Sequence, residues 1–214
     1  MKKPEFVCRK NGPYVVKGLQ NLRSGASGEV LEVKEVTALC RCGGSKNKPF
    51  CDGTHSKVGF TDDKSDDRTP DEWQDYVGES VTIHDNRGLC AHAGRCTDGL
   101  PSVFRLRKEP FIDATGAPAE MIAEIVRRCP SGALRYSVDG VEQRDLEQAP
   151  GVTVVPGGPY AVRGGGQLVG AEFAEGASRE HFTLCRCGGS RNKPFCDGTH
   201  WSRDFDENAP PREG

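Results

Sequence analysis

One segment of 17 residues occurs twice in this chain and sets the strongest limit on its fold. Residues 39–55 recur as residues 184–200 with 16 identities, and the one difference is Lys46 against Arg191. The likeness continues upstream, where residues 12–18 resemble residues 158–164. Each copy belongs to a unit of roughly fifty residues, a size at which stability is marginal without a metal or a partner surface. The repeat therefore predicts two small units that need stabilisation beyond their own cores.

Composition and charge exclude several classes of protein. The chain has 27 Gly and 14 Pro among 214 residues and is 35% hydrophobic, which indicates a loop-rich but globular protein. With 31 acidic residues against 29 Lys and Arg and no sustained basic run, nucleic acid is not expected as a partner. No segment approaches the ~20 apolar residues of a membrane span, and the first residues lack the apolar region of a secretory signal. We therefore expect a cytoplasmic protein whose 10 cysteines are reduced and bind metal rather than form disulfides.

Three cysteines and one histidine form the same pattern in both copies. In an extended segment Cys40 and Cys42 point to the same side. Cys51 and His55 are four residues apart, so a helical turn places them on one face. Two pairs of ligands suit a binuclear iron–sulfur cluster with one iron at each pair, and structural zinc is the alternative. Cys-x-Cys followed by Cys-x3-His is unusual for zinc sites, which favours iron–sulfur. The matching residues of the second copy are Cys185, Cys187, Cys196 and His200.

This pattern resembles the signature of the CDGSH iron–sulfur domains, also called NEET proteins. The signature reads Cys-x-Cys-x2-Ser-x3-Pro-x-Cys-Asp-Gly-Thr-His in both copies. The resemblance implies a 2Fe-2S cluster held by Cys40, Cys42, Cys51 and His55, and a second one held by the four matching residues of the other copy. It also implies small β-rich units that form an internal pseudo-dimer within a monomer. These units cover about half of the chain.

The residues between the copies differ from both and indicate a separate domain. Residues 61–72 are acidic and polar and indicate a linker, and residues 142–151 form a second one. Between them an alternating strand pattern near residue 80 is followed by a helix that starts at about Pro118. The predicted fold is therefore α+β, with CDGSH units at residues 1–60 and 152–206, an inserted ferredoxin-like domain at residues 73–141 and a flexible tail at residues 207–214.

Three cysteines of the central domain follow the outline of a bacterial ferredoxin motif. Cys90 and Cys96 have the outer spacing of Cys-x2-Cys-x2-Cys, with Ala93 at the middle position. Cys129 follows 33 residues later and precedes a proline, as the last cysteine of that motif does. Three thiolates suffice for a 3Fe-4S cluster, or for a 4Fe-4S cluster whose fourth iron takes another ligand. The segment is similar to the divergent single-cluster ferredoxins.

The fourth ligand of this central site is open from the sequence. His92 lies one residue from the vacant position and is either a ligand or a surface histidine. Zinc bound by Cys90, His92, Cys96 and Cys129 is the alternative. Cys8 has no counterpart in the second copy and is expected to pack as a small hydrophobic residue.

The pattern as a whole predicts an electron carrier rather than an enzyme. No Ser-His-Asp arrangement, phosphate-binding glycine loop or pair of catalytic carboxylates can be recognised. Iron–sulfur clusters change oxidation state with little structural cost, so three of them in one chain predict one-electron transfer with a reductase or an acceptor protein. The alternatives are a redox or pH sensor, a donor of clusters to apo iron–sulfur proteins, and a zinc-stabilised interaction module.

Overall fold

The fold consists of three β-sheets and a few short helices. The computed structural model describes residues 3–208. Two sheets contain strands from both repeats, and the third belongs to the central domain. This mixture of sheets and helices agrees with the predicted α+β class.

The first shared sheet joins three strands of the first repeat to one strand of the second. β1 (Glu5–Cys8), β2 (Tyr14–Lys17) and β5 (Val36–Leu39) pair antiparallel, with β2 in the middle. β12 (Gln167–Val169) pairs with β1 in parallel. The edge of the first repeat is therefore completed by a strand of the second.

The second shared sheet repeats this arrangement with the roles reversed. β10 (Gly151–Val154), β11 (Tyr160–Arg163) and β13 (Phe182–Leu184) pair antiparallel, with β11 in the middle. β3 (Leu22–Ser24) of the first repeat pairs with β10 in parallel, and β4 (Val30–Leu31) continues the sheet beyond β3. Each repeat thus contributes at least one strand to the sheet of the other.

One apolar core contains side chains of both repeats. Alternation along β1 and β2 buries Phe6 and Val16 completely, as the period of two in a strand requires. The ring of Phe6 meets that of Phe182 edge to face, with centroids 6.2 Å apart. Cys8 lies in the same core, which confirms its expected role as a small hydrophobic residue. Because the core is shared, neither repeat buries its apolar face alone.

The central domain has its own sheet and its own core. Its four strands pair antiparallel in chain order and are β6 (Trp73–Val77), β7 (Val81–Asn86), β8 (Leu134–Val138) and β9 (Val141–Gln143). Two helices, α1 (Arg95–Gly99) and α2 (Ala119–Val126), lie between β7 and β8 in the chain. Pro118 precedes α2 directly, in agreement with the predicted start of the helix. The helix buries Ile122, Ile125 and Val126 along one face, as the period of an amphipathic helix requires.

Short helical turns and coil complete the structure. The turns lie at Thr54–Ser56 and Arg87–Leu89, and α3 (Thr199–Ser202) follows the second motif. Because β9 ends at Gln143 and β10 begins at Gly151, the coil between them spans residues 144–150. Among residues 3–208, the helices are all too short or too polar to cross a membrane.

Candidate metal centres

Each repeated motif folds as a loop that leaves one strand and returns beside it. In the first copy the amide of Cys40 donates to the carbonyl oxygen of Pro49 at 2.8 Å. The amide of Cys51 donates to the carbonyl oxygen of Ala38, also at 2.8 Å. The loop at residues 185–196 makes the same two contacts. These bonds fix the first and third cysteines of each motif beside each other at the base of the loop.

The four ligand candidates of the first loop lie as two pairs. The sulfur atoms of Cys40 and Cys42 are 3.8 Å apart. Cys51 Sγ and His55 Nδ1 are 3.4 Å apart. The second loop repeats both distances, at 3.9 Å for Cys185 and Cys187 and 3.4 Å for Cys196 and His200. The structure therefore brings together the pairs that the spacing predicts.

Backbone amides point at the sulfur atoms in both loops. The amide of Gly44 donates to Cys42 Sγ and that of Gly53 donates to Cys51 Sγ, each at 3.4 Å. In the second loop the amide of Gly189 donates to Cys187 Sγ at the same distance. Amide donors stabilise negative charge on sulfur, so they oppose the effect of burial, which on balance raises the pKa of the Cys51 thiol.

The two thiols of each Cys-x-Cys pair share one hydrogen bond, which shifts their pKa values in opposite directions. In the first loop this bond lowers the pKa of Cys40 to about 6 and raises the pKa of Cys42. In the second loop it raises the pKa of Cys185 and lowers the pKa of Cys187. In each pair the shared bond therefore favours ionisation of one thiol, Cys40 in the first loop and Cys187 in the second.

An aspartate in each motif holds the loop closed. Asp52 accepts hydrogen bonds from the amides of Lys46 at 2.8 Å and Thr54 at 3.0 Å. Asp197 accepts the equivalent bonds from Arg191 and Thr199. Although burial opposes ionisation, these donors hold the pKa of Asp52 at about 2. The carboxylate both caps the turn that carries the histidine and ties it to the middle of the loop.

Each motif contains a buried arginine whose contacts were not predicted from the sequence. Arg41 is 2% exposed and forms an ion pair of 3.1 Å with Asp62. Arg186 is 1% exposed and forms an ion pair of 2.9 Å with Glu207. Asp62 lies in the predicted linker, and Glu207 lies in the segment predicted to be a flexible tail. The repeated Cys-Arg-Cys could have indicated a role for both arginines. Their carboxylate partners could not be found in the same way, because they lie outside the repeated segment.

Two tyrosines cross between the repeats. The Tyr14 hydroxyl lies 3.0 Å from the carbonyl oxygen of Cys185 and 2.9 Å from that of Pro194, and donates to them. The Tyr160 hydroxyl makes the equivalent contacts with Cys40 and Pro49, at 2.9 and 2.8 Å. Both tyrosines are fully buried. Each metal loop is therefore held by a residue of the other repeat.

The loops also touch each other directly through glycines. A Cβ on Gly43 would lie 2.6 Å from the carbonyl oxygen of Cys187, and one on Gly188 would overlap the carbonyl oxygen of Cys42. Both glycines have a positive φ, of 76° and 77°. A larger residue would be both strained and in collision, which explains glycine at these two positions.

The three cysteines of the central domain line one cavity. Cys90 precedes α1, Cys96 lies in it, and Cys129 follows α2, so three separate segments supply the thiols. The cavity is also lined by His92 and by apolar side chains such as Phe111 and Leu134. This places together all four residues that the sequence predicts for the central site. Whether His92 is itself a ligand stays a prediction.

The loop around Cys90 is shaped toward its sulfur atom. The amide of His92 donates to Cys90 Sγ at 3.4 Å, and His92 has a positive φ of 52° that bends the loop. The Arg87 guanidinium donates to the same sulfur at 3.8 Å. Burial raises the pKa of the Cys90 thiol to about 11, so metal binding at this sulfur would have to displace a proton.

The donor chemistry fits iron–sulfur groups. Thiolate and imidazole are ligands of iron–sulfur clusters, and all three sites offer three thiols and a histidine in or beside an apolar wall. In the described part of the chain, no three His, Cys, Asp or Glu side chains converge on the position of one ion. The ligand candidates of the two loops lie instead as separate pairs.

Comparison with known families identifies all three regions. The family described as iron-binding zinc finger, CDGSH type, matches residues 11–56 and 157–201. The family described as divergent 4Fe-4S mono-cluster matches residues 76–139. The chain therefore belongs to the CDGSH-type iron-binding proteins, with a divergent 4Fe-4S domain between its two CDGSH domains. This confirms the resemblances drawn from the sequence.

Relatives among curated proteins cover one part of the chain. The uncharacterized protein YjdI of Escherichia coli strain K12 is 33% identical over 61 residues, which are 28% of this chain and 80% of YjdI. YjdI of Escherichia coli O157:H7 matches to the same extent. No solved structure matches the chain significantly.

Proposed function

We propose that this protein is a one-electron carrier with two 2Fe-2S clusters in its CDGSH loops and a third cluster in its central domain. The observation that carries the proposal is the grouping of ligands in each loop as two pairs, with 3.4 to 3.9 Å between the atoms of a pair. A binuclear cluster takes two ligands at each iron, whereas tetrahedral zinc takes all four at one point. In the described residues no three of these side chains converge on the position of one ion, which supports the former.

The central site supports a cluster of the 3Fe-4S or 4Fe-4S type. Its three thiols come from three segments around one cavity, and the family to which residues 76–139 belong is described as mono-cluster 4Fe-4S. We propose that Cys90, Cys96 and Cys129 are ligands and that His92 is the candidate for the fourth position.

We also propose that the two repeats form an internal pseudo-dimer. The parallel pairing of β1 with β12 and of β3 with β10 supports this, because both pairs join different repeats. The crossed tyrosines support it too, since each loop depends on a hydroxyl of the other half. A single chain then provides both halves of the dimer that a protein with one motif would form from two chains.

The residues around the sites serve electron transfer rather than catalysis in this proposal. When bound, the clusters supply reversible one-electron chemistry. The amides of Gly44, Gly53 and Gly189 offset the negative charge at sulfur, and burial keeps bulk water from Cys196 and His200 of the second loop. A rigid, hydrogen-bonded loop changes little when that charge changes, which favours fast exchange with a reductase or an acceptor protein.

Anaerobic reductive titration tests this function. We expect the purified protein to take up about three electrons per chain, one for each cluster, and to return them to a soluble acceptor with no loss of iron. Uptake of no electrons by protein that contains iron and sulfide would contradict the proposal.

Cluster donation is the second candidate, and one observation favours it. Cys42, Cys51 and His55 of the first loop are only half-buried. A ligand reachable from solvent can be exchanged with an acceptor protein. Transfer of iron and sulfide to an apo-ferredoxin, faster than spontaneous release into buffer, would support donation over electron transfer.

A further inference from the structure

The two CDGSH loops have almost the same sequence but different surroundings. His200 is 5% exposed and Cys196 is 2% exposed, whereas His55 and Cys51 are half-buried. The contrast includes a residue that ligates nothing, since Asn192 is 2% exposed and its counterpart Asn47 is exposed. Because the loops themselves are alike, the difference comes from what covers the second one.

The central domain supplies the cover. The Asn192 side chain donates to the carbonyl oxygen of Gly88 at 2.8 Å. The Trp201 indole donates to the carbonyl oxygen of His92 at 3.0 Å. In the first repeat Ser56 stands where Trp201 stands in the second, and its hydroxyl bonds within its own turn, to Gly53. The loop of Cys90 and His92 is therefore docked onto the second motif.

Two equivalent glycines show this docking most clearly. Gly198 and Gly53 precede the histidine turn in each motif and have nearly the same φ, 84° and 87°. A Cβ on Gly198 would lie 2.6 Å from the ring of His92, whereas a Cβ on Gly53 would have no neighbour within 4 Å. The His92 ring thus rests on the backbone of the second motif, between the central site and the Cys196 and His200 pair.

The same contact brings two ligand sets close together. Cys90 and His92 line the central cavity, and His92 also touches Gly198, which lies two residues from both Cys196 and His200. The central site is therefore an immediate neighbour of the second CDGSH site.

We infer that the two CDGSH sites have different partners. The second site, at Cys185, Cys187, Cys196 and His200, exchanges electrons with the central site of the same chain across the contact of His92 with Gly198. The first site, at Cys40, Cys42, Cys51 and His55, is the one that meets external molecules. This division of roles rests on the proposed function, and it adds which site faces which partner.

Chelator access provides the first test. The whole, cluster-loaded protein is treated with EDTA, and the loss of iron is followed by visible circular dichroism. The ligand changes His55→Cys and His200→Cys, made in separate variants, distinguish the spectrum of one loop from that of the other. The first site is expected to lose iron about tenfold faster than the second, because the central domain must open before the second is reached. Equal rates at the two sites would overturn the inference.

Matched glycine variants test whether the contact with His92 is the cause. Gly198→Ala and Gly53→Ala impose the same backbone strain, but only the first collides with His92. Gly198→Ala is expected to accelerate iron loss from the second site several-fold, and Gly53→Ala to leave that site unchanged. If Gly198→Ala does not fold, Trp201→Ser removes the bond to His92 instead. The same acceleration of the second site in both glycine variants would overturn the inference.

Magnetic coupling tests the electron pathway independently of access. In EPR spectra of the dithionite-reduced protein, the signal of the second site should be broadened by the central cluster, and that of the first site much less. Cys129→Ser should remove the broadening. Unbroadened signals from both loops, in protein whose iron and sulfide content shows all clusters present, would overturn the division of roles alone. Protein without iron or sulfide would overturn the proposed function itself.

Discussion

The hydroxyl of Tyr160 lies 2.9 Å from the carbonyl oxygen of Cys40 and donates to it, although 120 residues separate them in the chain. Tyr14 makes the reciprocal contact with Cys185. Both tyrosines are fully buried, and so are Cys40 and Cys185, whose carbonyl groups they satisfy. The first loop therefore depends on the second repeat, and the second loop on the first.

Tyr160→Phe should weaken the first site. The change removes the hydroxyl donor from the carbonyl of Cys40, whereas the carbonyl of Pro49 keeps the amide of Cys40, and the expected cost is about 1–3 kcal/mol in the free energy of unfolding. Urea unfolding measures that cost, and release of iron from the first loop should accelerate. Tyr76→Phe is the control, because the Tyr76 hydroxyl bonds only to Gln74 at an exposed position, and it should cost less than about 0.5 kcal/mol. Equal costs for the two variants would contradict the crossed arrangement.

Gly188→Ala should disturb both loops. Its Cβ would overlap the carbonyl oxygen of Cys42, a proposed ligand of the other site, and the positive φ adds strain of roughly 1–2 kcal/mol. Gly53→Ala carries the strain without the collision, so it serves as the control. Iron content and thermal unfolding of the two variants give the measurement, and a Gly188→Ala protein no less stable than Gly53→Ala would show that the loops do not abut.

Asp62→Asn should destabilise the protein in a pH-dependent way. Burial raises the pKa of Asp62, but hydrogen bonds from Lys10, the amide of Asn11 and Arg41 outweigh it, so the pKa is lowered. A lowered carboxyl pKa contributes stability above the unfolded-state pKa, and that contribution is lost as the pH falls through the folded-state pKa. The variant should therefore be less stable than the parent by about 1–3 kcal/mol near pH 7, with the difference shrinking below about pH 4.

The matched control for that change is Asp63→Asn. Asp63 also pairs with Lys10, but its side chain is 67% exposed and does not reach Arg41. Its loss should have no measurable effect on denaturant midpoints. If the difference between Asp62→Asn and the parent stayed constant from pH 7 to pH 3, the ion pair with Arg41 would not be its source.

Cys129→Ser should remove iron from the central site alone. The side chain lines the central cavity, far in the chain from both CDGSH motifs. Iron content is expected to fall by about three or four atoms per chain, while the visible circular dichroism of the two loops persists. Cys8→Ala is the control because Cys8 lies in the apolar core and has no place in a ligand set. An unchanged iron content in Cys129→Ser would remove the central cluster from this account.

The spacing of Cys and His along the chain was sufficient to predict which side chains lie together. Cys-x-Cys in an extended segment and Cys-x3-His at a turn are local relationships, and local geometry alone gives the pairs at 3.4 to 3.9 Å. The helix after Pro118 was predictable for the same reason, because its apolar period and the proline at its start are both features of neighbouring residues in the sequence.

Contacts between distant segments could not be predicted in this way. A period of two identifies β1 as a strand, but it does not reveal that β12 is its neighbour. The repeat marks Tyr14 and Tyr160 as equivalent without naming their partners. Glu207 sits in a polar segment typical of a frayed tail, yet its carboxylate pairs with the buried Arg186. The contact of His92 with Gly198 likewise depends on how two domains pack against each other, and a local sequence pattern cannot predict that packing.

Metal and sulfide analysis of anaerobically purified protein tests most directly whether one chain holds three iron–sulfur sites. We expect about seven or eight iron atoms and a similar number of sulfides per chain, from two 2Fe-2S sites and one site with three or four irons. The 2Fe-2S sites should give EPR signals when reduced, and the central site should give one when reduced if it holds 4Fe-4S or when oxidised if it holds 3Fe-4S. Stoichiometric zinc without acid-labile sulfide, in a colourless protein, would contradict the account.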